Sequence, residues 1–326
     1  MSFHANRRTF MTSTAAAGLA LAQPAFAQSS GRTLRLVVGY PPGGPADIIA
    51  RALLSPLKAS LGTNVIVENR PGAGGRLAAD QVRNAEADGS VLLVTPASVV
   101  TMAPHVYKTV RYDAVRDFMP IAPIARLDLG VYAGPSAPAS IKTVADMVQW
   151  MREDVKRRVC SIPGAGSTPH MAAELISRQT KLNWQLIPYQ GDAPNFLALL
   201  SGEVAFGVSS LAGGMEHLRA GKLRLLALTT GARSSFVPDV PTFKESGVDM
   251  VVEDRHCVMA PKNLAPEQVQ KIRAAMAAAM KAPEFSALLE RMSLQKADDS
   301  GDFGQQIREE SERWAAVAKS LQMSFE

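Results

Sequence analysis

Leu34-Arg35-Leu36-Val37-Val38-Gly39-Tyr40-Pro41-Pro42-Gly43-Gly44-Pro45-Ala46-Asp47-Ile48-Ile49 is the stretch that decides the fold. A β-type apolar run passes through a proline and glycine turn into a helix from about Pro45, which carries Ile48, Ile49, Ala52 and Leu53. The same order returns downstream: strand Val65-Ile66-Val67, a loop Arg70–Gly75, a helix over Leu77 to Ala85, and strand Val91-Leu92-Leu93-Val94. Strand and helix alternating in this way predict a parallel sheet with helices on both faces. A second series starts near Leu129, with strands at Gly130–Tyr132, Val159–Ile162, Leu186–Ile187 and Ala205–Val208. Two α/β domains joined by crossing strands, with a cleft between them, follow from that repetition. Two helices are expected to close the chain, one through Val269, Ile272 and Met276, the other over Phe303 to Leu321.

The chain of 326 residues suits two domains of about 100–200 residues each. Hydrophobic residues at 47% and charged residues at 20% exclude a mainly disordered chain. Residues 1–27 read as an export leader: Arg7-Arg8 at the start, a short apolar stretch, and Ala25-Phe26-Ala27 as the cut site. Either a twin-arginine signal or an ordinary secretory one fits, and both place the mature chain outside the cytoplasm. The formal charge of +5 drops to +3 without Arg7 and Arg8, and no Lys/Arg block interleaves with aromatics, so no nucleic-acid surface is expected. With only two cysteines, Cys160 and Cys257, a disulfide scaffold or zinc ribbon is excluded; buried free thiols are the favoured reading.

Three turns share one grammar of strand, small residues, proline and helix: Tyr40–Asp47, Gly164–His170 and Tyr189–Pro194. Proline suits the first helical position, because its missing N–H would have no partner there. The residue before it then caps the helix, namely Gly44, Thr168 and Ala193. The next N–H groups point outward with the positive end of the dipole, at the carboxyl edge of the sheet where ligands bind. Gly43, Gly44, Gly164 and Gly166 allow close backbone approach, and Ser167 and Thr168 add hydroxyls, so an anionic oxygen is the expected guest. Asp47 is expected to reach back to the Gly44 N–H as half of a capping box. Asp192 either does likewise or meets a cationic or hydroxyl group. His170 reads as a hydrogen-bonded packing residue rather than a general base. No Walker loop, dinucleotide fingerprint, nucleophile elbow or histidine pair at metal spacing occurs, so neither an enzyme nor a cofactor is expected.

Those residues, in order, resemble the Bug family of tripartite tricarboxylate transporter receptors. The resemblance rests on Pro41–Arg51, Val67–Gly75, Asp88-Gly89, Tyr112-Asp113, Gly164–Ser167 with His170, Pro188–Gly191 and Asp239–Gly247. It implies an α/β, two-domain periplasmic-binding-protein (Venus-flytrap, type II-like) fold, each domain a mainly parallel sheet flanked by helices. The domains implied are 32–127 plus 253–326, and 128–252. It further implies a monomeric periplasmic receptor that holds a small organic carboxylate and delivers it to membrane transporter subunits; a ligand-loaded sensor component is the alternative. Ligand contacts implied are Tyr40, Pro42, Gly43, Gly44, Ala46, Asp47, Gly164, Gly166, Ser167, Thr168, His170, Tyr189, Gly191 and Asp192. The chain departs from the family at Arg255 and Cys257, where tryptophan and glycine are usual, and at Gln190, where lysine is usual. Arg255 is expected either to face the cleft and pair with a ligand carboxylate or to pair with Glu253 or Asp254.

Overall fold

Strand β1 (Leu34–Val38) is apolar because both of its faces are covered: Leu34, Leu36, Val37 and Val38 are all buried. The computed structural model describes residues 32–326, and the leader reading with its cut after Ala27 lies outside the described residues. Helix α1 (Pro45–Leu61) ends at left-handed Gly62, whose N–H donates to the Lys58 carbonyl. Then come β2 (Val65–Asn69), α2 (Arg76–Arg83) and β3 (Val91–Pro96), and β1 pairs in parallel with both other strands. Two short helices, α3 (Ser98–Thr101) and α4 (Ala103–Val106), lead into β4 (Phe118–Leu127).

The second series repeats the plan: β5 (Leu129–Ala133), α5 (Val144–Glu153), β6 (Val159–Ile162), α6 (Thr168–Thr180), β7 (Gln185–Pro188) and α7 (Asp192–Ser201). It continues through β8 (Phe206–Ser210), α8 (Leu211–Arg219) and β9 (Arg224–Leu228). The chain then returns as β10 (Asp254–Pro261) to α9 (Pro266–Lys281), α10 (Pro283–Arg291), β11 (Gln295–Lys296) and α11 (Phe303–Leu321).

The strand orders are β11-β4-β10-β3-β1-β2 and β7-β6-β8-β5-β9. Each sheet therefore holds a parallel trio with its first strand in the middle, β2-β1-β3 in one and β7-β6-β8 in the other. The expected parallel sheets stop there. Strand β10 joins the first trio antiparallel, and β4 and β11 continue beyond it in antiparallel pairs; β5 joins the second trio antiparallel and β9 pairs antiparallel with β5, so both sheets are mixed. The reason is the crossing: a strand leaving one sheet for the other enters its neighbour from the opposite end. The expected pair of closing helices is three, because Ala282 takes an extended conformation ahead of Pro283 and divides α9 from α10.

Both sheets belong to one body, Thr33–Glu326. The first packs Leu36, Leu92 and Val94 against Ile49 and Leu53 of α1 and Ile272 and Met276 of α9. The second packs Val131, Phe206 and Val208 with Met147 of α5 and Ile176 of α6. Helix α11 serves both cores: Phe303 and Ile307 lie with Val37 and Leu93, while Trp314 and Ala318 lie with Val131 and Val208. Cys160 and Cys257 are buried and free, and burial pushes both thiols up. No helix among the described residues is long and apolar enough to cross a membrane.

Candidate functional site

In a sheet ordered 2-1-3, the connections after the first and second strands leave in opposite directions, which opens a crevice at the carboxyl ends between strands 1 and 3. The molecule has two such places, one after β1 beside β3 and one after β6 beside β8. A cavity of about 570 Å³ lies between them. Its walls come from strand ends: Tyr40 after β1, Pro96 at the end of β3, Pro163 after β6, Gln190 after β7 and Ser210 at the end of β8. Three helices begin at this cavity, with Gly44, Pro45 and Ala46 of the α1 start, Ser167 and Thr168 of the α6 start, and Gly191, Asp192 and Ala193 of the α7 start in its lining.

The first of these starts is capped by Gly44, as expected from the sequence. The N–H of Ile48 closes the first intrahelical bond onto the Gly44 carbonyl, which leaves the Ala46 N–H without an intrahelical acceptor. Helix α6 begins one residue earlier than expected, with Ser167 as the cap, and α7 begins at Asp192 with Gly191 as the cap. Proline therefore sits at the first, second and third helical positions of α1, α6 and α7 respectively. In all three it lies where no acceptor exists for an N–H, so the grammar is the same although its register shifts.

Of the residues expected at a ligand, Tyr40, Pro42, Gly44, Ala46, Gly164, Gly166, Ser167, Thr168, Gly191 and Asp192 line the cavity; Gly43, Asp47, His170, Tyr189 and Arg255 do not. Gly43 takes a φ of 86°, the left-handed turn that lets its N–H reach Asp47. Asp47 is buried under the loop and serves as its brace. It accepts from Gly43 N at 2.9 Å rather than from Gly44, from Arg51 Nε at 2.8 Å and from Asn69 Nδ2 at 2.9 Å. Burial would raise its pKa, yet these hydrogen bonds hold it down at about 2.

His170 Nδ1 accepts the Gly166 N–H at 2.8 Å, so the imidazole shapes the loop from behind, and Glu174 lies 3.5 Å from its other nitrogen. The hydroxyls are committed as well. Ser167 Oγ donates to the Gly164 carbonyl at 2.7 Å, and Thr168 Oγ1 donates to Asp254 Oδ2 at 2.6 Å. Tyr189 turns away and donates to Glu203 Oε1 at 2.7 Å; burial, together with that carboxylate, pushes its phenol up to about 12. Gly166, at φ 65°, has a reason other than approach to a ligand: a Cβ there would stand 2.0 Å from the Tyr107 hydroxyl.

Neither expectation for Arg255 holds. Its guanidinium donates to Gln306 Oε1 and to Glu310 Oε2, both at 2.7 Å, on α11. Side chains alternate along a strand, and β10 presents Asp254 and His256 to the cavity, which sends the residue between them to the opposite face. Asp254 holds the floor, accepting Ser98 Oγ and Thr168 Oγ1 at 2.6 Å each and the Arg255 N–H at 2.7 Å. His256 is buried, its Nδ1 has no partner, and burial lowers its pKa to about 4 against the opposing pull of Asp254, so the imidazole is neutral at pH 7.

The sequence reading missed Arg76, Ser98, Tyr107, Asp254 and His256 as cavity residues. For Arg76 a signal existed: a cation in the first turn of α2 opposes the macrodipole and is out of place as a stabilising choice. Asp254 and His256 carried none, because their place depends on β10 running antiparallel to β3 with His256 opposite Pro96. Among the described residues no group of His, Cys, Asp and Glu is placed to hold a metal ion.

Relatives place this geometry. Residues 49–323 match the family described as the tripartite tricarboxylate transporter family receptor. The UPF0065 protein in the gbd 5' region of Cupriavidus necator is 33% identical over 292 residues, 89% of this chain and 88% of that one. Rpa4515 of R. palustris, solved with adipate, superposes with a TM-score of 0.81 at 27% identity, covering 91% of this chain and 100% of the other. The periplasmic binding protein BugD superposes with a TM-score of 0.79 at 25% identity, covering 90% and 99%. With its two mixed sheets facing one cavity, this chain belongs to the tripartite tricarboxylate transporter receptor family and is a solute-binding receptor of the Bug type.

Proposed function

We propose that the cavity captures a small organic carboxylate in the periplasm and that the loaded receptor delivers it to the membrane subunits of a tripartite tricarboxylate-type transporter. In this reading the receptor works as a monomer, exported by the leader of residues 1–27 with cleavage after Ala27. Its lobes are 32–127 plus 253–326, and 128–252. The observation that carries the reading is the convergence of the α1, α6 and α7 starts, from both sheets, on one cavity. Unpaired N–H groups and aligned dipoles at such starts favour an anion. A ligand gripped from both lobes binds their closed arrangement better than an open one, and closure follows as a population shift.

Thermal shift against mono-, di-, tri- and aromatic carboxylates tests the reading, because a ligand at 100 times its Kd adds about 2.7 kcal/mol to stability. Gly44 lines the cavity in an extended conformation, and a Cβ there meets only the Pro41 carbonyl at 3.6 Å. Gly44→Val is therefore expected to fold, with its melting temperature lowered by no more than about 3 °C, and to lose the carboxylate-induced shift. A variant that keeps the full shift removes the α1 start from the reading.

A further inference from the structure

Three lining residues carry formal charge at neutral pH, namely Arg76, Asp192 and Asp254. Both carboxylates have partners. Asp192 accepts Ser209 Oγ at 2.5 Å and Ser210 Oγ at 2.6 Å, and Asp254 accepts two further hydroxyls and two backbone N–H groups. Arg76 has none: no carboxylate among the described residues pairs with it. Its guanidinium carbon lies 3.4 Å from the centroid of the Tyr107 ring, so the flat face of the group is covered by the ring. The N–H donors of a guanidinium project from its edge, and stacking leaves them free.

The position of Arg76 makes little sense as stabilisation. It opens α2 directly after left-handed Gly75, at the helix end where a positive charge is disfavoured. An Asp, Ser or Glu there would suit the helix better, and the stack on Tyr107 alone does not require a charge. A half-buried cation without a counter-ion, held in a cavity already built for anions, is short of one negative group. Apolar lining from Val99, Met102, Leu127 and Leu129 offers the body of a ligand a dry wall and no competing acceptor.

We infer that Arg76 is the specificity-determining residue for a second anionic group, so that the receptor selects acids bearing two negative charges on an apolar body. The inference rests on the carboxylate-binding reading above: the helix starts take the first carboxylate, and the edge of the Arg76 guanidinium takes the second as a bidentate pair.

The test is isothermal titration of the full chain and its Arg76→Gln variant at neutral pH. The titrants are straight-chain dicarboxylates from succinate to suberate, each paired with the monocarboxylate of equal chain length. Wild type is expected to bind at least one dicarboxylate about 10-fold or more tighter than its monocarboxylate partner. In Arg76→Gln that ratio is expected to collapse, because dicarboxylate affinity falls about 10-fold beyond any change for the monocarboxylate. Arg76→Lys, which keeps the charge without the planar fork, is expected to retain part of the preference. A preference that survives in Arg76→Gln, or an equal loss for both acids, would overturn the inference and leave Arg76 as a brace for Tyr107. A wild-type chain that binds monocarboxylates as well as dicarboxylates overturns this inference alone, whereas one that binds no acid overturns the underlying reading with it.

Discussion

The loop from Tyr40 to Asp47 is held by residues of its own sheet, whereas the loop from Pro163 to His170 is held in part by Asp254 of the other. In the first, Asp47 gathers Gly43, Arg51 and Asn69, and Asn69 Nδ2 also donates to the Tyr40 carbonyl at 3.1 Å. All four partners belong to the β1–α1–β2 unit. In the second, His170 and Ser167 supply local bonds, but Thr168 donates to Asp254 of β10 and the Ala165 carbonyl accepts the Tyr107 hydroxyl at 2.6 Å. The first set of bonds lies within one unit of the chain; in the second, the Thr168–Asp254 bond joins the two sheets. Under the proposed carboxylate-binding function, the Tyr40 loop would be preorganised for an anion, and the Thr168–Asp254 bond would contribute to closure.

The difference is sharpest at Asp47, where the largest effect is expected. Asp47→Ala strips three donors of their acceptor beneath the loop and should destabilise the protein by about 2–4 kcal/mol, as read from urea unfolding at neutral pH. The acid dependence follows from the carboxyl pKa, which folding lowers from 3.8 to about 2. A group depressed on folding stabilises above its unfolded pKa, and that contribution disappears as pH falls through the folded value. The gap between wild type and variant should therefore narrow by about 2 kcal/mol between pH 5 and pH 2. A gap that stays constant over that range would mean that Asp47 acts through packing, and the contrast between the two loops would lose its electrostatic half.

Thr168→Val is the complementary change and should act on affinity. The valine keeps the shape of the side chain and removes the hydroxyl that crosses to Asp254, while Ser98 Oγ and the Arg255 N–H still satisfy that carboxylate. Stability without ligand should change by less than about 1 kcal/mol, and Kd for whichever carboxylate binds should rise about 10-fold by calorimetry. If unliganded stability falls as far as it does in the Asp47 variant, the cross-lobe bond is a permanent tie and not a closure bond.

What the sequence made legible divides along the same line. Local grammar sufficed for β1 and α11, whose observed limits, Leu34–Val38 and Phe303–Leu321, are those expected from the apolar pattern. It also brought Gly44, Gly164, Gly166, Ser167 and Thr168 to one cavity, because a turn between strand and helix has only one edge of the sheet to occupy; Tyr40, Pro42, Ala46, Gly191 and Asp192 came with the family resemblance. Facing along strands was harder. Arg255 is expected at the ligand, but its neighbours Asp254 and His256 are the residues that reach the cavity. That is a one-residue slip, which in a strand inverts the side chain, and nothing local fixes that phase. It is fixed by pairing with β3 across a long stretch of chain. Strand β4 was missed for a related reason: its apolar run, broken by Pro120 and Pro123, finds its partner only when β10 returns.

The smallest effect should come from Tyr107→Phe, and it discriminates most finely between the two ways of holding a loop. The phenylalanine keeps the ring under Arg76 and beside Phe325, 5.4 Å away between centroids, and removes only the bond to the Ala165 carbonyl. That bond is exposed, so its loss should be worth about 0.5–1.5 kcal/mol, or a 2- to 10-fold rise in Kd. Because Gly166 accommodates the tyrosine hydroxyl so closely, the shorter side chain relieves contact and should leave unliganded stability almost unchanged. Combined with Thr168→Val, the two changes in binding energy should add within about 0.5 kcal/mol, since they sever separate ties to one loop. A double variant no weaker than Thr168→Val alone would show that the Tyr107 tie forms only after the Asp254 tie, making closure of this loop sequential, with the floor of the cavity engaging before its rim.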